Sequence, residues 1–277
     1  MRFTTLSKIL SKHRIYSFGI CDYQNISCFL PCRNWNTIPQ QAKCVIVCAF
    51  PSYKGVYLLA NVCTYAMVPD YHQVVRGILS AACEELEKTF GGSFVGFSDI
   101  SALPEKECAL QSGLGVMGKN GLVIHPEYGS FFVIGEIVTD QEFPFSKPNQ
   151  TSCFACGKCR ENCPTGAIGT DGIDYQRCLS FITQRKGKLT KEEEAFIQKN
   201  GLMWGCDQCQ DCCPHNRDLP VTYLKEFSED IQPVVTEENL KRLMKTRAFG
   251  YRGKTLLLRN LALLAAGDRN GEQDERE

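Results

Sequence analysis

Hydrophobic and polar positions fall into a few distinct rhythms along the chain. From Asp70 to Phe90, apolar residues recur at Val74, Val75, Ile78, Leu79, Ala82, Leu86 and Phe90. Steps of three and four place them on one stripe, which predicts an amphipathic helix over 70–90. Cys44 to Phe50 is an apolar run of strand length and predicts a buried strand, with further strands at Phe94 to Phe97 and Phe131 to Val138. The stretch Asp140 to Ser152, which carries Pro144 and Pro148 among polar residues, reads as a linker. Cys153 to Asn216 has no sustained period and predicts a loop-rich segment. Thr236 to Ala266 predicts two helices split near Gly250 and Gly253, and the polar residues Gly267 to Glu277 predict a frayed end. The expected class is α+β: an α/β domain with a mixed sheet over 1–143, a loop-rich domain over 144–222, and short C-terminal helices with a tail over 223–277.

Charge narrows the picture. The chain has 31 basic and 31 acidic residues, so no global field draws it to nucleic acid or membrane, and any polyanion contact must come from a local patch. Its longest apolar runs are far shorter than the ~20 residues of a membrane-spanning helix, and a soluble chain without a membrane partner is expected. The first fourteen residues hold Arg2, Lys8, Lys12 and Arg14 and no acid, a composition shared by transit peptides and surface helices, and the surface helix is the reading taken. Seventeen cysteines without a secretion signal point to a reducing cytoplasm.

Nine of those cysteines lie between Cys153 and Cys213. Cys153, Cys156, Cys159 and Cys163, followed by Pro164, form the bacterial ferredoxin run C-x2-C-x2-C-x3-C-P, whose fourth cysteine ligates the other cluster of a pair. Downstream, Cys206, Cys209 and the pair Cys212-Cys213 before Pro214 supply the partner run, with Cys178 filling the missing ligand. The crossed pattern assigns Cys153, Cys156, Cys159 and Cys213 to one [4Fe-4S] cluster and Cys163, Cys178, Cys206 and Cys209 to the other, leaving Cys212 over. Four-cysteine zinc sites also use C-x2-C pairs, but they do not usually present four cysteines in one run closed by proline.

Ahead of the cysteines stands more α/β chain than an electron carrier needs, which implies a place where electrons are used. Glycines at 113, 115, 118 and 121 with Lys119 suit close approach of backbone to a bulky ligand, and they suit a glycine-rich surface turn equally well. The block is neither a phosphate-binding Walker loop nor a dinucleotide fingerprint.

The order Tyr65-Ala66, Asp70-Tyr71-His72, Asp99, Glu105, Gly113-Leu114-Gly115, Gly118-Lys119-Asn120, Gly129-Ser130, Gly135-Glu136-Ile137 and then the paired cysteine runs resembles the epoxyqueuosine reductase family. The resemblance implies a cobalamin-binding domain before a ferredoxin-like double [4Fe-4S] domain, kinship with reductive dehalogenases, and two-electron reduction of epoxyqueuosine in tRNA to queuosine and water. It implies tRNA as partner, an external donor such as ferredoxin or flavodoxin, and a monomer. It places Asp99 as proton donor, in a dry pocket that raises its pKa, although an aspartate capping a turn near Ala102 is the plainer alternative. Tyr65 is implied in the same cavity, and Gly113, Leu114, Gly115, Gly118, Lys119, Asn120 and Ser130 as cobalamin contacts. Asp70-Tyr71-His72 begins like the Asp-x-His-x-x-Gly signature of a histidine cobalt ligand, but Val75 holds the glycine position, so His72 is read as structural or cavity-lining.

The chain departs from the family pattern in places. It is abbreviated between Cys21 and Asn36, Ala102 replaces a proline, Lys106 replaces an arginine, and helical repeats that help hold tRNA are missing. Two basic groups, Lys241, Arg242, Lys245, Arg247, Arg252, Lys254 and Arg259, and Arg185, Lys186, Lys188 and Lys191, serve RNA or merely solubility. Reduction of a small organohalide or epoxide, and a non-catalytic electron carrier or cobalamin-handling protein, are the competing readings.

Overall fold

The structure is a computed structural model that describes residues 1–31 and 36–274, without the side chains of 268–274. Helix α1 (Arg2–Lys12) turns Leu6, Ile9 and Leu10 inward, as expected of a surface helix. Strand β1 (Ser17–Asp22) leads to β2 (Cys44–Pro51), in which all eight residues are buried. The abbreviated stretch between Cys21 and Asn36 lies partly outside the described residues.

There follow α2 (Tyr71–Phe90), β3 (Phe94–Phe97), α3 (Glu105–Gln111), the two-residue strands β4 (Val116–Met117) and β5 (Val123–Ile124), and β6 (Phe132–Thr139). The four long strands form one sheet in the order β1-β2-β6-β3, and each hydrogen-bonded pair is antiparallel. This corrects the expected mixed sheet. Strands β2 and β3 do run the same way, joined through α2 as in an α/β unit, but β6 enters between them in the opposite direction.

Both faces of the sheet are covered, which is why β2 reads as a continuous apolar run and not as an alternation. Val45, Val47 and Ala49 pack with Leu103, Cys108, Ala109 and Leu114 around α3. On the other face, α2 buries Val75, Ile78, Leu79, Ala82 and Leu86. It sits so close that a Cβ on Gly135 would come within 2.8–3.0 Å of Phe50, Leu79 and Val75. Each buried Val, Leu or Ile side chain here is worth ~1.5–3 kcal/mol against leaving it exposed.

Contacts divide the chain into two units, Met1–Tyr53 with Tyr71–Ala155 and Arg217–Leu224, and Lys54–Asp70 with Cys156–Asn216 and Lys225–Glu277. The expected three segments in sequence order are therefore interleaved. In the first unit Thr222 donates its N–H to Tyr53 O at 2.7 Å and its hydroxyl to Pro51 O at 2.6 Å. In the second, Asn61 O accepts the Met203 N–H at 2.7 Å, and the Asn61 amide exchanges two 2.8 Å hydrogen bonds with the backbone of Val235.

The second unit holds α4 (Lys158–Glu161), α5 (Leu179–Gln184), α6 (Lys191–Asn200), α7 (Gln208–Asp211), α8 (Glu237–Leu243) and α9 (Lys254–Asp274). Helix α6 starts at a Thr190–Glu193 capping box with three glutamates in its first turn. Leu179, Ile182, Leu189 and Ile197 form a small core, covered by Leu263 and Leu264 of α9. The predicted pair of late helices is α8 and α9, but the end expected to fray from Gly267 continues as α9 to Asp274, and 275–277 lie outside the described residues. No helix among the described residues is long and apolar enough to cross a membrane.

Candidate functional site

The cysteine segment is built from short turns. Ala155 and Gly157, on either side of Cys156, both have left-handed backbone, with φ of 51° and 78°. Alternation of this kind turns successive N–H groups inward, toward whatever anion the loop encloses. Burial raises Cys163, but the N–H groups of Ile168, Thr165 and Ala167 outweigh it and hold this thiol below its usual range. Burial pushes Cys206 up to about 12 against one N–H from Gln208, and Cys178 and Cys163 lie near enough to add to the rise. Cys163, Cys178 and Cys206 thus share one locality. Cys159, Cys212 and Cys213 share another, and the Cys212 thiol points to Cys209 O at 3.7 Å.

Among the described residues, no three metal-binding side chains converge on one ion.

The surroundings of these cysteines are tightly specified. Gly205, at φ +72°, has the Cys63 sulfur where a side chain would begin. Its N–H donates to the buried Thr183 hydroxyl at 2.9 Å, and the fully buried Asn260 of α9 donates to Thr183 O and Met203 O, both at 2.8 Å. Sequence reasoning missed Thr183 and Asn260, because an asparagine in an amphipathic helix has no local mark of a buried bracket. Tyr65 lies in this second unit, where its hydroxyl accepts the Trp204 indole N–H at 3.0 Å.

In the first unit a carboxylate group collects where β3, α3 and β6 meet. Asp99 has φ +64°, a conformation that L residues other than asparagine and aspartate seldom adopt. Its Oδ2 lies 2.8 Å from His72 Nε2, and its N–H donates to Glu105 Oε1 at 2.7 Å. The side chain is 54% exposed, so the expected dry pocket is not formed by the chain's own residues. The His72 ring stacks on Tyr71 at 3.9 Å and faces Asp99.

Behind Asp99 stands Glu136, which is fully buried on β6. Ser101 donates its hydroxyl to Glu136 Oε2 at 2.9 Å, while Oε1 makes no hydrogen bond among the described residues. Burial pushes Glu136 up to about 8, with Glu105 repelling its ionised form. Burial, then Asp99, pushes Glu105 up to about 7. Among the described residues no cation acts on Glu136, and the Ser101 and Cys108 side chains only partly offset burial, so the neutral carboxyl is favoured there. Glu136 sat inside an apolar strand run and was read only as part of a motif.

The glycine block packs closely against its own chain. A Cβ at Gly113 would strike Lys147 O, one at Gly115 would strike Ile124 O, and one at Gly118 would strike the Asn120 side chain. At Gly113 and Gly115 the chain's own backbone stands where a side chain would begin. Leu114 is a core residue, Ser130 is nearly buried, and Asn120 Oδ1 accepts the Leu122 N–H at 3.3 Å. Of the predicted cofactor contacts, Lys119 presents an exposed side chain.

His125 is structural: its Nδ1 accepts the N–H groups of Glu127 and Tyr128, leaving Nε2 to donate to Ser17 Oγ at 2.7 Å. Burial pushes its pKa down to about 4. The basic groups thin out on inspection. Arg247 is buried against Asp230 at 2.8 Å, Arg259 donates to Arg185 O and Gly187 O, and Arg185 pairs with Glu193. Lys241, Arg242, Lys245, Lys254, Lys186, Lys188 and Lys191 remain exposed.

Residues 152–216 match the family of 4Fe-4S double cluster binding domains. The epoxyqueuosine reductase of Lactococcus garvieae is 35% identical over 216 residues, which cover 73% of this chain and 60% of that protein. The chain spans 46–60% of the length of this and two further curated relatives of the same name. The solved epoxyqueuosine reductase of Streptococcus thermophilus superposes with a TM-score of 0.79 at 26% identity, covering 95% of this chain and 80% of that one. A crystal structure of an epoxyqueuosine reductase with a tRNA stem loop gives a TM-score of 0.82 at 22% identity, covering 96% and 82%. The fold likeness extends to a reductive dehalogenase described as B12-dependent, with a TM-score of 0.55 at 14% identity, covering 95% and 35%.

Proposed function

By sequence and by fold the chain belongs with the epoxyqueuosine reductases, and on that premise we propose that it is a cobalamin-dependent iron-sulfur reductase that deoxygenates epoxyqueuosine in tRNA. The observation that carries this reading is one chain holding both a double-cluster segment and a fixed, solvent-reachable aspartate, Asp99, clasped by His72 and Glu105. Removing the epoxide oxygen as water takes two electrons and two protons. Asp99 gives the first proton to the oxygen as its bond to carbon breaks, and His72 on Oδ2 keeps the carboxyl aimed.

Cys153, Cys156, Cys159 and Cys213 hold one cluster in this reading, and Cys163, Cys178, Cys206 and Cys209 the other. The two cysteine localities and the N–H groups on Cys163 support that division, since such donors favour a thiolate ligand. Cobalamin, when bound, supplies a strongly reducing two-electron centre. Its fit to the residues first assigned is partial. Gly113, Gly115 and Gly118 are spent on internal packing, and exposed Lys119 is the side chain left to reach an amide or phosphate of the cofactor. The exposed lysines and Arg242 offer phosphate contacts for tRNA.

The test is anaerobic turnover of an epoxyqueuosine-bearing tRNA stem loop, followed by mass spectrometry of the nucleoside. Formation of queuosine, with a loss of about 10²–10⁴-fold in Asp99→Asn, is the expected result. Turnover of a free epoxide or an organohalide but not of the stem loop would transfer the reading to a small-molecule reductase.

A further inference from the structure

The loop that carries Asp99 is fastened at two points by carboxyls from elsewhere in the first unit. Glu105 is the first residue of α3, where a carboxylate ordinarily favours the helix's own N-terminal N–H groups. No side chain caps α3. Glu105 reaches back six residues instead, and its Oε1 accepts the Asp99 N–H at 2.7 Å. Two residues further along, the Ser101 hydroxyl donates to buried Glu136 at 2.9 Å while accepting the Leu103 N–H at 3.1 Å. Between these fasteners the backbone at Asp99 holds φ +64°, which costs an L residue ~1–2 kcal/mol and needs something to maintain it.

We propose that Glu105 and Ser101, the latter anchored on Glu136, are positioning residues that latch the Asp99 loop in its strained form and so keep the proton donor aimed. The proposal rests on the reading of Asp99 as proton donor for its purpose, but not for its geometry. The groups facing Glu105 are Asp99 and His72 from the loop and α2, Lys106 from its own helix, and Glu136 from β6. Among the described residues, Glu105 Oε1 is the acceptor recorded for the Asp99 N–H. Unlatching therefore frees Asp99 to return to an ordinary backbone conformation, and the carboxyl leaves its place.

Amide hydrogen exchange on the cluster-loaded protein tests this without relying on turnover. The hydrogen bond from the Asp99 N–H is lost in Glu105→Ala and kept, by the side-chain amide oxygen, in Glu105→Gln. Exchange at Asp99 should quicken about tenfold or more in the first and only about threefold or less in the second. Ser101→Ala should quicken exchange at 101–103, and amides of β2 should be unchanged in all three, which sets aside general unfolding. With substrate, Glu105→Ala should lower kcat and leave KM unchanged, and Glu105→Gln should restore most of the loss. Equal exchange in Glu105→Ala and the parent, or equal acceleration in Ala and Gln, overturns the latch. If Glu105→Ala also loosens β2, Ser101→Ala decides: loop-confined acceleration supports the latch and none refutes it. Asp99→Asn separates the two ideas, since asparagine tolerates the same backbone. Retained turnover in that variant removes Asp99 as donor and leaves the exchange pattern to judge the latch.

Discussion

In β2 each residue is held by ladder hydrogen bonds to β1 or β6 and by side chains packed on both faces, whereas between Cys156 and Asn216 short helices are joined by three- and four-residue turns. The first region draws its order from burial. The second has a small cluster of Leu179, Ile182, Leu189 and Ile197, with brackets such as Asn260, and its cysteines are arranged for an occupant that cross-links them. A sheet with two covered faces holds its shape without a cofactor, while a loop-rich segment of this kind takes folding energy from what it binds.

Removing one cluster ligand breaks this contrast most sharply. Cys206→Ala should lower iron from about eight to about four per chain, and limited proteolysis should then cut within 156–216 while β2 amides exchange as slowly as before. Loss of protection in β2 would mean that the two units share one stability.

The next effect in size is the pH dependence of the first unit. Glu136 and Glu105 keep protons in the folded chain that the unfolded chain gives up above its ordinary carboxylate value of 4.5. Stability should therefore fall as pH climbs from there toward 8, by up to about 1.4 kcal/mol per pH unit per group. His125 acts the other way: held neutral in the fold, it lowers stability as pH drops from 6.5 toward 4. Denaturant titrations of Glu136→Gln should lose much of the alkaline decline and keep the acid one. An unchanged alkaline limb would show that Glu136 is not the group that resists ionisation.

Smallest is a change in packing. Gly205→Ala places a methyl against the Cys63 sulfur and forces a left-handed residue, which should destabilise the second unit by about 1–3 kcal/mol in a thermal melt. A melt shifted by less than a degree would show that the loop around Cys206 yields easily.

Much of the local structure was legible in the sequence, for reasons tied to particular residues. The stripe from Val74 to Leu86 and the runs at Cys44, Phe94 and Phe131 gave α2, β2, β3 and β6 nearly to the residue, because burial imposes those periods directly. The insertion of β6 between β2 and β3 was not legible, since strand order is a long-range choice without a local signature. The same holds for Lys54–Asp70, whose place in the second unit depends on Asn61 meeting Met203 and Val235 far along the chain. At the candidate site, the cysteines were singled out by motif and Asp99 by the family resemblance. The internal packing of the glycine block was not legible, because a glycine needed for a ligand and one needed for a neighbouring carbonyl look identical in sequence. Glu136 was passed over because one acid in an apolar strand has the appearance of a solvent-facing position.

The placement of β6 has a consequence for how the chain is made. The ribosome releases β2 and β3 well before the strand that must lie between them, so each is born with an open side. Until Thr139 has emerged, both offer unsatisfied amides and carbonyls to any passing extended segment. Biosynthesis thus contains an interval in which a nascent chain is sticky, and it ends only when the sixth strand slides home.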